Sequence, residues 1–152
     1  NEVISVKSKI WLPDGENYMD YQEIEAFIVD LMKKYKLIEV AYDPAFFERS
    51  AQVLLDRGVP MVNFPQTHSR MIPACGNAYD LIANSRIRHD GNPTFTDQVL
   101  SAAQRTTDMG WRLSKGRSKR KIDSCIAMVM MLDRITAPEP LDENPEVSII
   151  NL

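Results

Sequence analysis

Leu37-Ile38-Glu39-Val40-Ala41-Tyr42-Asp43-Pro44 is the stretch on which the reading of this chain turns. Ile38, Val40 and Tyr42 alternate with Leu37, Glu39 and Ala41, a pattern suited to a strand covered on both faces. Pro44 closes it, because proline has no N–H to carry a sheet ladder onward. Asp43 is thereby placed at the carboxyl end of a central strand. In open α/β sheets ligands bind beyond the carboxyl ends of strands. The aspartate is therefore a candidate for chemistry, and the rest of the chain reads as a scaffold that brings a second acid, Asp123, to it.

Toward the amino end, Asp20 and Glu23 make a D-x-x-E start like a capping box. Ile24, Phe27, Ile28, Leu31 and Tyr35 then keep a helical period, which predicts an amphipathic helix over 20–35. Before it, Val3, Ile4, Val6, Ile10 and Trp11 predict one strand or a bent pair over 2–12, closed by Pro13-Asp14-Gly15. The chain opens directly on that strand with no initiator Met, the look of a fragment or of a processed start.

Toward the carboxyl end, Phe47, Ala51, Leu54 and Leu55 share a face of a helix over 46–56, stopped by Gly58. Pro60 to Phe64 is a short apolar strand. This alternation argues for a layered α/β fold. A helix follows over 69–84, in which Pro73 and Gly76 leave open a start only near Pro73. Ile87 to His89 is a brief strand, stopped by Asp90-Gly91-Asn92-Pro93, and 94–105 is predicted to be helical. Residues 106–113 are expected to be two short extended pieces around a turn at Asp108-Met109-Gly110. The basic run 115–121 leads into a largely buried helix over 121–135, because Ile126 to Leu132 has no polar position. Val147 to Ile150 suits either a final edge strand or an undocked tail.

The chain has 152 residues, 44% of them apolar and 26% charged. That predicts one globular domain with a proper core over 1–137 and a carboxyl-terminal tail over 138–152. Net charge is −3, from 18 basic and 21 acidic residues. Any affinity for nucleic acid must then come from local clustering. Cys75 and Cys125 lack C-x-x-C partners and read as buried thiols of a reducing compartment. His68 and His89 have no ligand-spaced companions. No signal peptide is visible, and the run from Cys125 to Leu132 is too short to cross a bilayer, so neither secretion nor membrane association is expected. There is no G-x-x-x-x-G-K-[ST] phosphate loop, so the chain by itself is not expected to be an ATPase, and there is no G-x-S-x-G elbow or H-E-x-x-H helix.

Two features remain for chemistry. Asp43 and Asp123 are carboxylates of the kind that bind Mg²⁺ or Mn²⁺ through hard oxygens. Two such ions about 3.5–4 Å apart can clamp an in-line phosphodiester displacement. The same two acids also suit plainer work, since Asp before Pro is a turn residue and Asp in a first helical turn meets the helix dipole. The second feature is Lys115, Arg117, Lys119, Arg120 and Lys121, five cations in a flexible run with Gly116 and Ser118 between them. Such a run could follow a phosphate backbone without reading sequence. It also delivers positive charge just ahead of Asp123, where a nuclease needs it. Arg86, Arg88 and His89, like His68 and Arg70, fit ordinary surface roles as well as contact with DNA. Met128, Met130 and Met131 fit core filling.

In order, the chain carries Ala41-Tyr42-Asp43-Pro44, Val59-Pro60-Met61-Val62, Met71-Ile72-Pro73, Ile87-Arg88-His89-Asp90-Gly91-Asn92-Pro93, and Lys121-Ile122-Asp123 before an apolar helix. From about Trp11 to Arg134 this set resembles the carboxyl-terminal nuclease domain of the large terminase subunit of tailed bacteriophages. The resemblance implies an RNase H-like α/β fold, a central mixed sheet flanked by helices. It implies a two-ion Mg²⁺ or Mn²⁺ endonuclease that cuts double-stranded DNA largely without regard to sequence. Asp43 matches the second metal-binding acid of that family and Asp123 the last. The family's first acid-bearing strand and its ATPase domain have no counterpart here, so the chain looks like the later part of a nuclease domain, with its activity alone in doubt. The implied partners are the ATPase domain, the small terminase subunit and the capsid portal, in the cytoplasm of an infected bacterium. A non-catalytic module binding DNA or portal, or another RNase H-like nuclease or transposase, are the competing readings.

Overall fold

Helices and short strands alternate through residues 2–13, 15 and 19–137, the part of the chain that this computed structural model describes. The expected tail over 138–152 lies outside the described residues. Two compact units emerge, one from residues 2–10 with Gln66–Ala137 and one from Trp11–Pro65.

In the second of these, α1 (Tyr21–Lys34) starts at the predicted cap: Asp20 accepts from the N–H groups of Gln22 and Glu23. The side chain of Glu23 takes the Trp11 indole N–H at 3.0 Å, and the Trp11 ring meets Phe27 edge-on. Strand β2 is Val40–Tyr42, helix α2 is Pro44–Asp56 and strand β3 is Met61–Asn63. The strands pair in parallel, Val40 with Met61 and Tyr42 with Asn63, so the three elements are a βαβ unit. The strand is shorter than the predicted 37–43, because Ile38 is half exposed and only three residues of β3 are paired with it. Pro44 does end the strand, and it also opens the helix, where its missing N–H has no intrahelical partner to lose. Ala51 and Leu54 are fully buried with Val59, Met61 and Tyr42, and Ile28, Val29, Met32 and Phe47 pack against them. Leu55, predicted to share that face, is exposed.

In the other unit β1 (Ile4–Val6) pairs in parallel with β4 (Ile87–His89). The predicted strand over 2–12 stops early because the Ser8 N–H donates to the Asp90 carboxylate at 2.9 Å and leaves the ladder. Helix α3 (His68–Ala83) runs through Pro73 unbroken, which settles its start at the earlier of the two positions. Helix α4 (Pro93–Leu100) ends well short of the predicted 105, since Gln104–Thr107 is strand β5 in an antiparallel hairpin with β6 (Gly110–Leu113). That hairpin realises the two extended pieces around Asp108-Met109-Gly110. Helix α5 (Asp123–Thr136) buries Cys125, Ile126, Met128, Val129, Met130 and Leu132, and α3 and α4, which pack against it, bury Met71, Cys75 and Phe95. Among the described residues the sheet is present as three two-stranded pieces, two parallel and one antiparallel.

Candidate active site

Asp43 follows β2 directly and is the N-cap of α2. Its Oδ1 accepts from the Ala45 N–H at 3.1 Å, which satisfies one of the donors that the first turn leaves unbonded. The acid is therefore where the sequence puts it, at the carboxyl end of a strand, and it already holds a structural post there. Beside it Tyr42 donates its hydroxyl to Glu48 at 3.1 Å; burial and that bond push the phenol's pKa up.

Asp123 opens α5 in the other unit and is exposed. Its Oδ1 lies 2.7 Å from the Lys115 ammonium. The basic run, expected to be flexible, is in fact tied down. Ser118 Oγ donates to the Ser114 carbonyl at 2.7 Å and accepts from the Ala103 N–H at 3.0 Å. Arg120 pairs with Asp97 of α4 at 2.9 Å. Arg117, Lys119 and Lys121 are exposed and carry no ion pair among the described residues. All five candidate DNA-binding cations are thus exposed, but Lys115 and Arg120 are paired with carboxylates, and among the described residues the other three are not.

Three of the other basic candidates have plain structural partners. Arg86 donates to the Glu2 carbonyl at 3.4 Å, Arg70 pairs with Asp133 at 3.2 Å, and His89 Nδ1 accepts from the Gly91 N–H. Cys75 and Cys125 are both buried and free. A hollow of about 400 Å³ between α3, α4, α5 and the hairpin is apolar, lined by Tyr79, Val99, Trp111 and Met128 among others, and includes neither acid. One residue that carries weight has no signature in the sequence. Gln98, 8% exposed, accepts from both the N–H and the hydroxyl of Ser124, each at 2.9 Å. A lone glutamine on a helix gives no signal of its own; the only hint is Ile122, an apolar residue where α5 needs a cap.

Asp43 and Asp123 offer hard oxygen donors, the type suited to Mg²⁺ or Mn²⁺. Among the described residues no three His, Cys, Asp or Glu side chains gather into a larger donor set. Each acid, taken by itself, is a single oxygen donor of the kind that a divalent cation takes alongside water and substrate oxygens.

Residues 8–139 match the terminase large subunit, endonuclease domain family, and the chain belongs to that family. It is similar to the terminase large subunit of Enterobacteria phage HK97, at 28% identity over 116 residues, covering 74% of this chain and 23% of that protein. The crystal structure of the HK97 bacteriophage large terminase superposes with a TM-score of 0.68 and 26% identity over 76% of this chain and 25% of that one. The fold is accordingly the RNase H-like α/β fold of a terminase nuclease module. The chain spans about a quarter of the length of these relatives. No helix among the described residues is long and apolar enough to cross a membrane.

Proposed function

We propose that this chain is the cutting module of a phage DNA-packaging terminase, a divalent-metal endonuclease acting on double-stranded DNA. The observation that carries the reading is membership of the endonuclease-domain family across 8–139, a span that contains both Asp43 and Asp123. Asp43, fixed at a strand's carboxyl end, and Asp123, on the first turn of α5, are the residues that would hold Mg²⁺ or Mn²⁺. Two such ions would supply an activated water and neutralise charge on the leaving oxygen. The protein's own part is to hold its carboxylates in place and to draw the phosphate backbone in. Arg117, Lys119 and Lys121 do the latter as exposed cations. Lys115 and Arg120 join them once phosphates compete for their carboxylate partners. In the packaging system the ATPase domain, the small terminase subunit and the portal are the expected partners, within the host cytoplasm.

The test is Mn²⁺-dependent conversion of supercoiled plasmid to nicked and linear forms. It is run on this chain and on a version extended by the family's first acid-bearing strand. Asp43→Ala and Asp123→Ala are each expected to abolish cutting; cutting that persists in either variant overturns the assignment. A second reading, a non-catalytic DNA- or portal-binding module, is favoured by one pair of facts. Asp43 already caps a helix and Asp123 already pairs with Lys115. That reading predicts DNA or portal association that depends on the basic run, with no carboxylate-dependent Mn²⁺ binding.

A further inference from the structure

The first turn of α5 has no cap of its own and borrows one from α4. Ile122 stands at the N-cap position with a side chain that accepts nothing. Gln98 Oε1 supplies the acceptor instead, taking the Ser124 N–H and the Ser124 hydroxyl at 2.9 Å each. Gln98 is buried to 8% exposure and Ser124 is half-buried, so both bonds are partly shielded from water, which strengthens them. One position earlier on α4, Asp97 holds Arg120 at 2.9 Å. Helix α4 therefore grips the chain on both sides of Asp123: the end of the basic run before it, and the residue immediately after it.

From this geometry we propose that Gln98 is a positioning residue for Asp123. By fixing the first turn of α5 it fixes where the carboxylate stands, and so the affinity of that acid for a divalent cation. The inference rests on the reading of Asp123 as a cation ligand. Gln98 itself touches neither cation nor DNA. An exposed cap on the same strand of chain would set helix stability alone. A buried cap from a second helix ties the acid's position to the packing of α4. Loss of a partner bonded directly to a metal ligand lowers affinity roughly 10- to 100-fold; Gln98 bonds Ser124, the residue after Asp123, so its loss belongs at the low end of that range.

The test is Mn²⁺ titration of the chain by calorimetry, with amide hydrogen exchange read at Ser124. Gln98→Met keeps the length and removes the acceptor. It is expected to expose the Ser124 amide to exchange and to weaken Mn²⁺ binding by about tenfold. Gln98→Asn, polar but too short to span to Ser124, is expected to behave the same way and serves if the methionine variant does not fold. Gln98→Glu restores an oxygen at the same reach and is expected to recover Ser124 protection and Mn²⁺ binding. Asp123→Asn is the control for the underlying reading. Mn²⁺ binding that needs Asp123 but is unchanged in Gln98→Met and Gln98→Asn overturns the positioning role and leaves the metal reading intact. Binding that survives Asp123→Asn, or no binding at all, removes the metal reading and this inference with it.

Discussion

The Lys115 ammonium lies 2.7 Å from Oδ1 of Asp123, so the first cation of the basic run meets the acid that opens α5. Both side chains are about half exposed, and a pair of that kind contributes no more than about 1 kcal/mol to stability. Its larger effect is on what else Asp123 can bind, because ammonium and cation compete for one carboxylate. Lys115→Ala is therefore expected to leave the denaturant midpoint nearly unchanged and to tighten Mn²⁺ binding. Chemical denaturation and calorimetry check the two halves. Weaker Mn²⁺ binding in the variant would mean that Lys115 does not compete.

Asp43 holds two roles that one substitution can separate. Asp43→Asn keeps an oxygen for the Ala45 N–H and removes the charge, while Asp43→Ala removes both. The alanine variant is expected to lose about 1 kcal/mol of stability, the usual worth of an N-cap, and the asparagine variant far less. Both are expected to lose Mn²⁺-dependent cutting. An asparagine variant that still cuts DNA would reduce Asp43 to a cap.

The outward cations predict a salt dependence. Replacing Arg117, Lys119 and Lys121 together with alanine leaves up to three phosphates without a protein cation. The slope of log affinity against log salt should then flatten by about 0.9 for each phosphate no longer neutralised. Filter binding or fluorescence anisotropy on duplex DNA across a range of salt reads it. An unchanged slope would place the DNA path elsewhere on the protein.

Cys125 predicts a pH effect. Burial, with Cys75 nearby, pushes its thiol pKa up from 9.0 to about 11. Between those values the unfolded chain has released the proton that the folded chain keeps, so stability falls as pH rises. The contribution is complete below pH 9 and lost by about pH 11, at most about 3 kcal/mol. Stability curves of the parent chain and Cys125→Ala should therefore converge through that window. Parallel curves would show that the thiol is not titrating against burial.

Gly110 begins β6 with φ +130°, and a Cβ there would meet Ile72 Cγ2 of α3 at 2.9 Å. The conformation and the close approach both oppose a side chain. Gly110→Ala is expected to cost more than about 1 kcal/mol, visible in thermal or denaturant unfolding.

Local chemistry was enough to find the elements whose causes lie next to them in the chain. The Asp20 cap, the helical period behind it, the Pro44 break, the Gly58 stop and the Asp108-Met109-Gly110 turn each act through neighbouring residues, and each was legible. So was the place of Asp43 at a strand end. The strand over 2–12 and the helix over 94–105 end earlier than expected, and residues beyond those ends bond to partners elsewhere in the chain. The first meets Asp90, and past the end of the second Ala103 gives its N–H to Ser118. The basic run looked loose because its composition is that of a loop; Ser118 and Asp97 hold it, and neither bond has a sequence signature. Sequence by itself determined which residues could carry charge and chemistry, since that is a property of the side chains. Only the tertiary structure decided which of them are already spoken for: Lys115 by Asp123, Arg120 by Asp97, the first turn of α5 by Gln98. The physical reason is that an ion pair or a borrowed cap depends on distances of about 3 Å between residues that only packing brings together.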